Sequence, residues 1–326
     1  MRRKARAWSI LLSAVVCAAS GAHAQRYGAE GTLQWQGVAI KPGDVINFQG
    51  GAVTSATAHF LTYGHSALYL GVNPENGQPS FLDFTTTKGG AQAFAFGSAQ
   101  PFSGRIIVEV EFLAANAEAH AGFDVYRLRG NPAIDEAAMF HEAKRIATNE
   151  EFGLSGEVCS TAVAAVLSKG TGRAVKGLSP DDLTRGPFQR HPQLAGKSLS
   201  IQAALRDARN RQMAGAWAGT VTQAVTKTQP EHAYVVEMRV DAAGSGTTRY
   251  PSQNCVGSLS GGAAADGTWS WRETITDGRF TPERRAGCIG GTITVRLVDS
   301  QTASWVWRGE WKGQRITTSG TLLRSK

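Results

Sequence analysis

The chain is poor in the residue patterns from which metal and nucleotide sites are built. Its 326 residues hold seven histidines and four cysteines, with no His-Glu-x-x-His and no cysteine pair at zinc spacing. His59, His120, His141, His191 and His232 form no ligand set, so no metal centre is expected. No phosphate-binding loop occurs, which speaks against ATP chemistry, and Gly153-Leu-Ser155-Gly156 lacks the spacing of a serine nucleophile elbow. No cofactor is implied. Past residue 24 no apolar run approaches the ~20 residues of a membrane span.

What is present begins at the N-terminus. Met1-Arg-Arg-Lys-Ala-Arg6 precedes the short apolar run from Trp8 to Ser20 and the small-x-small ending Ala22-His23-Ala24, the pattern of a secretory signal peptide cut after Ala24. The expected location is periplasmic or secreted. Cys17 would suggest lipidation, but Val16 stands where a lipoprotein site wants a small residue. Without residues 1–24 the 34 basic residues become 30 against 26 acidic ones, a net charge of +4. That suits mild attraction to anionic envelope polymers and is too small and scattered to argue for nucleic acid.

Three cysteines remain after cleavage, an odd number for an oxidising compartment. Cys255 and Cys288 share the strand-rich C-terminal third and are expected to form a disulfide, leaving Cys159 free. Cys159 opens the apolar helical segment Cys159-Ser-Thr-Ala-Val-Ala-Ala-Val-Leu167. A thiol at a helix N-terminus feels the positive end of the helix dipole, and a nearby imidazolium lowers its pKa further toward a nucleophilic thiolate. The plainer alternative is a small buried hydrophobe.

The character of the chain changes near residue 212. Before it, β-branched or aromatic runs predict strands at Asp44–Phe48, His65–Val72, Ser80–Thr85, Arg105–Phe112 and Phe123–Leu128. Helical spacing covers Ile134–Asn149 and the Cys159 segment, and Ser179-Pro-Asp-Asp182 reads as a helix start. A helical linker is expected over 199–213. From 214 onward only strand signals occur, at Trp217–Gln223, Tyr234–Val240, Trp269–Ile275, Thr292–Leu297, Ser304–Arg308 and Ile316–Leu323, as in an antiparallel barrel or sandwich. Trp269 and Trp271, like Trp305 and Trp307, are two apart and share a strand face. An inward face makes them core; an outward one would let them stack on sugars.

Lys41-Pro-Gly-Asp44 before a strand, Gly64-His65-Ser-Ala-Leu-Tyr-Leu-Gly71, the acid Asp83 on the next strand, and Val158-Cys159-Ser-Thr-Ala162 together resemble the circularly permuted NlpC-type papain-like cysteine hydrolases, including the YiiX/YebB-like group. The likeness covers roughly residues 38–185, with His before Cys as in the permuted branch. It implies an α+β papain-like domain over 25–198, followed by an all-β accessory domain over 214–326. It also implies Cys159 as nucleophile, His65 as general base and later acid, and Asp83 as the group orienting the imidazole. Asp124 and Glu109 remain alternatives to Asp83, and Asp44 is read as a structural turn cap. Tyr63, Tyr69 and Phe84 are candidates for a substrate groove. The expected reaction is amide hydrolysis through a thioester, with a cell-wall peptide as substrate because export places the enzyme beside that polymer. A lipid acyl substrate, as in acyltransferases of the lecithin:retinol type, and a non-catalytic envelope-binding protein are the alternatives. The β domain would hold a polymer or protein ligand.

Overall fold

The computed structural model describes residues 31–48, 65–85, 103–117, 120–148, 159–176, 186–224, 232–281 and 287–325. The leader, Tyr63 and the expected helix start at Ser179–Asp182 lie outside them.

The first part of the chain is built on one antiparallel sheet. Its strands are β3 (Val45–Phe48), β4 (Ser66–Val72), β5 (Pro79–Thr85), β6 (Ser103–Val108), β7 (Gly122–Leu128) and β8 (Phe188–Arg190), in the order β6-β5-β4-β3-β7-β8. The two-residue β9 (Leu199–Ser200) also pairs with β7. Both faces of this sheet are covered, which is why β4 is buried along nearly its whole length. On one face lie α2 (Glu136–Ala147) and α3 (Cys159–Thr171), packed on Val45, Leu68, Leu70 and Leu82. On the other lie α1 (Glu109–Ala117), α4 (Ile201–Met213) and the hairpin β1 (Leu33–Trp35)–β2 (Val38–Ile40), packed on Phe48, Tyr69, Phe81 and Phe123.

Local chemistry places these elements. Asp135 caps α2 by accepting the Ala138 N–H at 2.9 Å. Gly170 lets α2 approach α3, since a Cβ there would stand 2.3 Å from Met139 Cγ. Gly71 has φ +94° at a register shift between β4 and β5, a left-handed backbone that glycine adopts without strain.

The expected strand over Arg105–Phe112 is two elements. The strand ends at Val108 and α1 begins at Glu109. The run Ile106-Ile107-Val108 favours β structure, while the Leu and Ala residues after Phe112 favour helix, and Phe112 and Leu113 are fully buried on the sheet. Tyr69 is also corrected. It is fully buried, with its hydroxyl donating to the Gly31 carbonyl at 2.5 Å, and is a core residue that cannot line a groove.

Residues from Gly215 form a closed antiparallel barrel. Its strands are β10 (Gly215–Ala224), β11 (His232–Val240), β12 (Gly246–Tyr250), β13 (Cys255–Ala263), β14 (Trp269–Asp277), β15 (Thr292–Leu297), β16 (Thr302–Trp311) and β17 (Gln314–Arg324). Each pairs with its successor, and β17 returns to β10. Eight strands, rather than the six legible in the sequence, close the barrel. The two additional ones, β12 and β13, are rich in Gly, Ser and Thr and carry little hydrophobic signal. Trp217, Trp269, Trp271, Trp305 and Trp307 all point inward and are at most 6% exposed. An eight-stranded barrel has an interior that side chains can fill, and the sugar-stacking role is withdrawn for the four paired tryptophans. Cys255 and Cys288 are bonded, tying β13 to the segment between β14 and β15.

The expected linker over 199–213 belongs to both halves. Ile201, Ala204, Leu205 and Ala208 enter the core under the sheet, while Met213 enters the barrel core. Asn210 accepts the N–H of Ala263, the last residue of β13, at 2.9 Å and donates to the Ala243 carbonyl, in the turn between β11 and β12, at 3.1 Å. The described residues thus form a mixed α/β structure with four helices, none long and apolar enough to cross a membrane.

Candidate active site

The last residue of β3 and the first residues of β4 stand at one end of the sheet, and the N-terminus of α3 reaches them there. Cys159 is the first residue of α3, so its peptide N–H belongs to the turn that lacks an intrahelical acceptor. Its sulfur lies beside His65 and close to the backbone N–H groups of Ser66 and Ser160, all of which favour the thiolate. Burial pushes this thiol up, but the His65 hydrogen bond and charge and the two amides outweigh it, so Cys159 titrates below the ordinary cysteine value.

His65 Nε2 lies 2.5 Å from Asp83 Oδ1, leaving Nδ1 for the thiol. Asp83 is fully buried and His65 is 17% exposed. Burial pushes the imidazole down; the Asp83 charge, the Asp83 hydrogen bond and Cys159 more than offset it and raise His65 to about 10. At neutral pH the ring is therefore an imidazolium beside a thiol of lowered pKa, the pairing that generates a thiolate.

Three residues that sequence reasoning missed surround this line. Asn116 of α1, itself buried, donates Nδ2–H to Asp83 Oδ2 at 3.4 Å and to its own helix at Phe112 O at 2.9 Å. Phe48 stacks on the His65 ring at 5.7 Å and on His120 at 4.9 Å. None carried a sequence signal, because each acts through a neighbour that only the fold supplies.

The other candidate acids are engaged elsewhere. Asp124 pairs with Arg190 at 2.6 Å and accepts from Ser198 at 2.9 Å. Glu109 pairs with Arg211 and accepts the Trp35 indole N–H at 2.6 Å. Asp44 holds the turn as expected, accepting the Lys41 N–H at 2.8 Å, and in addition takes Arg127 Nε at 2.7 Å. A cavity of about 300 Å³ lined by Asp44, Arg127, Ile134 and Glu136 contains none of the three residues of the line. It opens where β3 begins, away from Phe48 and His65, and has no part in the chemistry described.

What Cys159, His65 and Asp83 can do together is nucleophilic acyl transfer. The thiolate attacks a carbonyl, the imidazolium supplies a proton, and the buried carboxylate fixes which ring nitrogen faces the sulfur.

No family model and no curated protein matches this chain. It is similar to the crystal structure of Rv2717c from M. tuberculosis at 13% sequence identity and a TM-score of 0.23, over 35% of this chain and 94% of that one.

Proposed function

We propose that this chain is an exported cysteine hydrolase that cleaves an amide bond through a thioester on Cys159. The observation that carries the reading is the convergence of Cys159 at the α3 N-terminus on His65, which is itself bonded to buried Asp83. The Cys159 thiolate adds to the carbonyl carbon, and the N–H of Cys159 at the helix end meets the developing oxyanion. His65 passes its proton to the departing amine as the C–N bond breaks, giving the thioester. It then takes a proton from water, whose oxygen attacks the thioester, and keeps that proton as the sulfur leaves as thiolate and the acid departs, which restores the starting pair.

The order His65 before Cys159, and the antiparallel sheet with the cysteine helix on one face, suit a permuted papain-like domain. Export is supported by the pattern of residues 1–24 and by the Cys255–Cys288 bond, which belongs to oxidising compartments. Export in turn favours a cell-wall peptide as substrate. A non-catalytic role is disfavoured because a thiolate-imidazolium pair backed by a buried carboxylate is costly to keep without chemistry.

The test uses the mature protein and its Cys159→Ala variant on soluble muropeptides and on phospholipid vesicles. Release of amines by the wild type, abolished in the variant, is the expected result. Fatty-acid release from vesicles without action on muropeptides would replace the amidase reading with lipid deacylation, and equal turnover by the variant would end the mechanism.

A further inference from the structure

We infer that the outer face of β14 to β17 is a docking surface for the insoluble cell wall, gripping the carboxylates of its peptides. The inference rests on the reading above only for export and for the wall as the polymer met there. The net charge of the mature chain divides unevenly. Residues 25–213 hold 17 basic and 17 acidic residues, whereas residues 214–326 hold 13 and 9, so the barrel half carries the whole excess of +4. One of its acids, Glu273, is sealed in the interior and offsets nothing outside.

The ladder gathers positive charge on one side. Arg272 of β14 stands opposite Thr292 of β15, which stands opposite Arg308 of β16. Two strand spacings, ~10 Å, therefore separate the two arginines. Arg308 is opposite Thr317 of β17, so Arg315, two residues along, is its diagonal neighbour at ~7 to 8 Å. All three arginines are exposed and alternate with inward residues such as Trp271 and Trp307. Besides Glu273, the acids of these four strands are Asp277, at the end of β14, and Glu310, opposite Arg315. Among the described residues no carboxylate pairs with Arg272, Arg308 or Arg315. On the other side of the barrel Arg249 has Glu237 at 3.8 Å.

Serine and threonine hold most other outward positions, among them Ser270, Thr274, Thr294, Ser319 and Thr321. A guanidinium stays charged at every working pH and presents a planar fork to a carboxylate, while hydroxyls can both donate to and accept from the hydroxyls of a glycan. Three like charges within about one Debye length repel one another, and anions lying across them remove that repulsion. A closed barrel has no strand edge to extend, so its partner is met by side chains. A wall of hydroxyl-rich glycan strands bearing peptides with free carboxylates offers both kinds of group. It offers them many times over, so contacts that are weak singly add up and keep the catalyst beside its substrate.

The test sediments the full mature protein with purified sacculi, in the Cys159→Ala background so that the wall stays uncut. Arg272→Gln combined with Arg308→Gln is compared with Arg239→Gln combined with Arg249→Gln, which removes the same charge from exposed positions on the opposite side. The expected result is a Kd raised about tenfold by the first pair and less than about twofold by the second. The difference should fade toward ~1 M salt, where screening is nearly complete. Equal losses in the two pairs would overturn the inference, because net charge alone would then govern binding. Undiminished binding to sacculi whose carboxylates have been amidated would overturn it too. Loss of binding to phosphatidylglycerol vesicles in the first pair, with sacculus binding kept, would reassign the face to a lipid surface. The hydrolase reading is judged separately, by wild-type turnover of soluble muropeptides: absence of turnover beside intact sacculus binding would end that reading and leave the docking surface standing.

Discussion

Asp83 and Glu273 are both carboxylates sealed inside the molecule, 0% and 3% exposed, and their surroundings lead them to opposite uses. Asp83 faces an imidazole that takes up charge and passes its influence outward to a sulfur at a helix end. Glu273, inside the barrel, faces only neutral donors: the hydroxyls of Thr248 and Tyr250 and the indole N–H of Trp307, the last two at 2.6 and 2.9 Å. Burial pushes Glu273 above the usual carboxylate range, and these hydrogen bonds offset only part of that. It ties β12, β14 and β16 together across the interior and ends there. Burial of an acid is therefore no mark of a reaction centre; a titrating partner that reaches a nucleophile is.

The largest expected effect tests the Asp83 side. Asp83→Asn keeps the shape but removes the charge that holds His65 as imidazolium, so iodoacetamide alkylation of Cys159 at pH 6 should fall about a hundredfold. A rate within threefold of wild type would erase the distinction between the two carboxylates. Next comes the barrel's covalent tie. Replacing Cys255 and Cys288 by alanine opens a bridge across 33 positions and should cost about 3 to 4 kcal/mol in urea unfolding of the barrel, read by its tryptophans. Cys159 should remain as reactive as before.

Glu273→Gln is expected to lose about 1 to 3 kcal/mol, because one of its neutral donors is left without an acceptor. Altered Cys159 reactivity in that variant would mean that the two halves are chemically coupled. The smallest effect separates the groups by pH window, although their sign is the same. Both pKa values are raised by folding, so each group's stabilisation is complete below its unfolded pKa and is lost as pH rises through the folded one. For His65 the loss should run from about 6.5 to about 10; for Glu273 it should begin near the ordinary carboxylate range. Urea midpoints of the wild type compared with His65→Gln and with Glu273→Gln across pH 4 to 10 would resolve the two windows, and a Glu273 difference independent of pH would refute its raised value.

The parts of the site legible in the sequence were those with a local signature. Cys159 opens an apolar helix, His65 opens an apolar strand, and an acid inside β5 is conspicuous. The choice among Asp83, Asp124 and Glu109 was not legible, since it depends on Arg190 and Arg211 claiming the latter two from far along the chain. Asn116 could not be found because it lies on α1, a helix whose first turn shares its β-branched content with the strand before it. In the barrel, inward tryptophans at period two were readable, whereas β12 and β13 are strands because their neighbours offer them open ladders. Their few apolar residues do not make the alternation by which a half-buried strand is read.

The closure of the barrel also sets an order of assembly. Arg324, in the last strand of the barrel, donates to the Ala214 carbonyl, 110 positions away, and stacks on Trp217 in the first. Bringing such distant segments together is slow, because the chain must lose its freedom before the contacts form. The sheet, its helices and the apolar face of α4 can meet while the barrel strands are still being made. Asn210 and Met213 then wait at the end of α4 for turns and strands that come later, so the half with the thiol can take shape first and act as the footing on which the barrel closes.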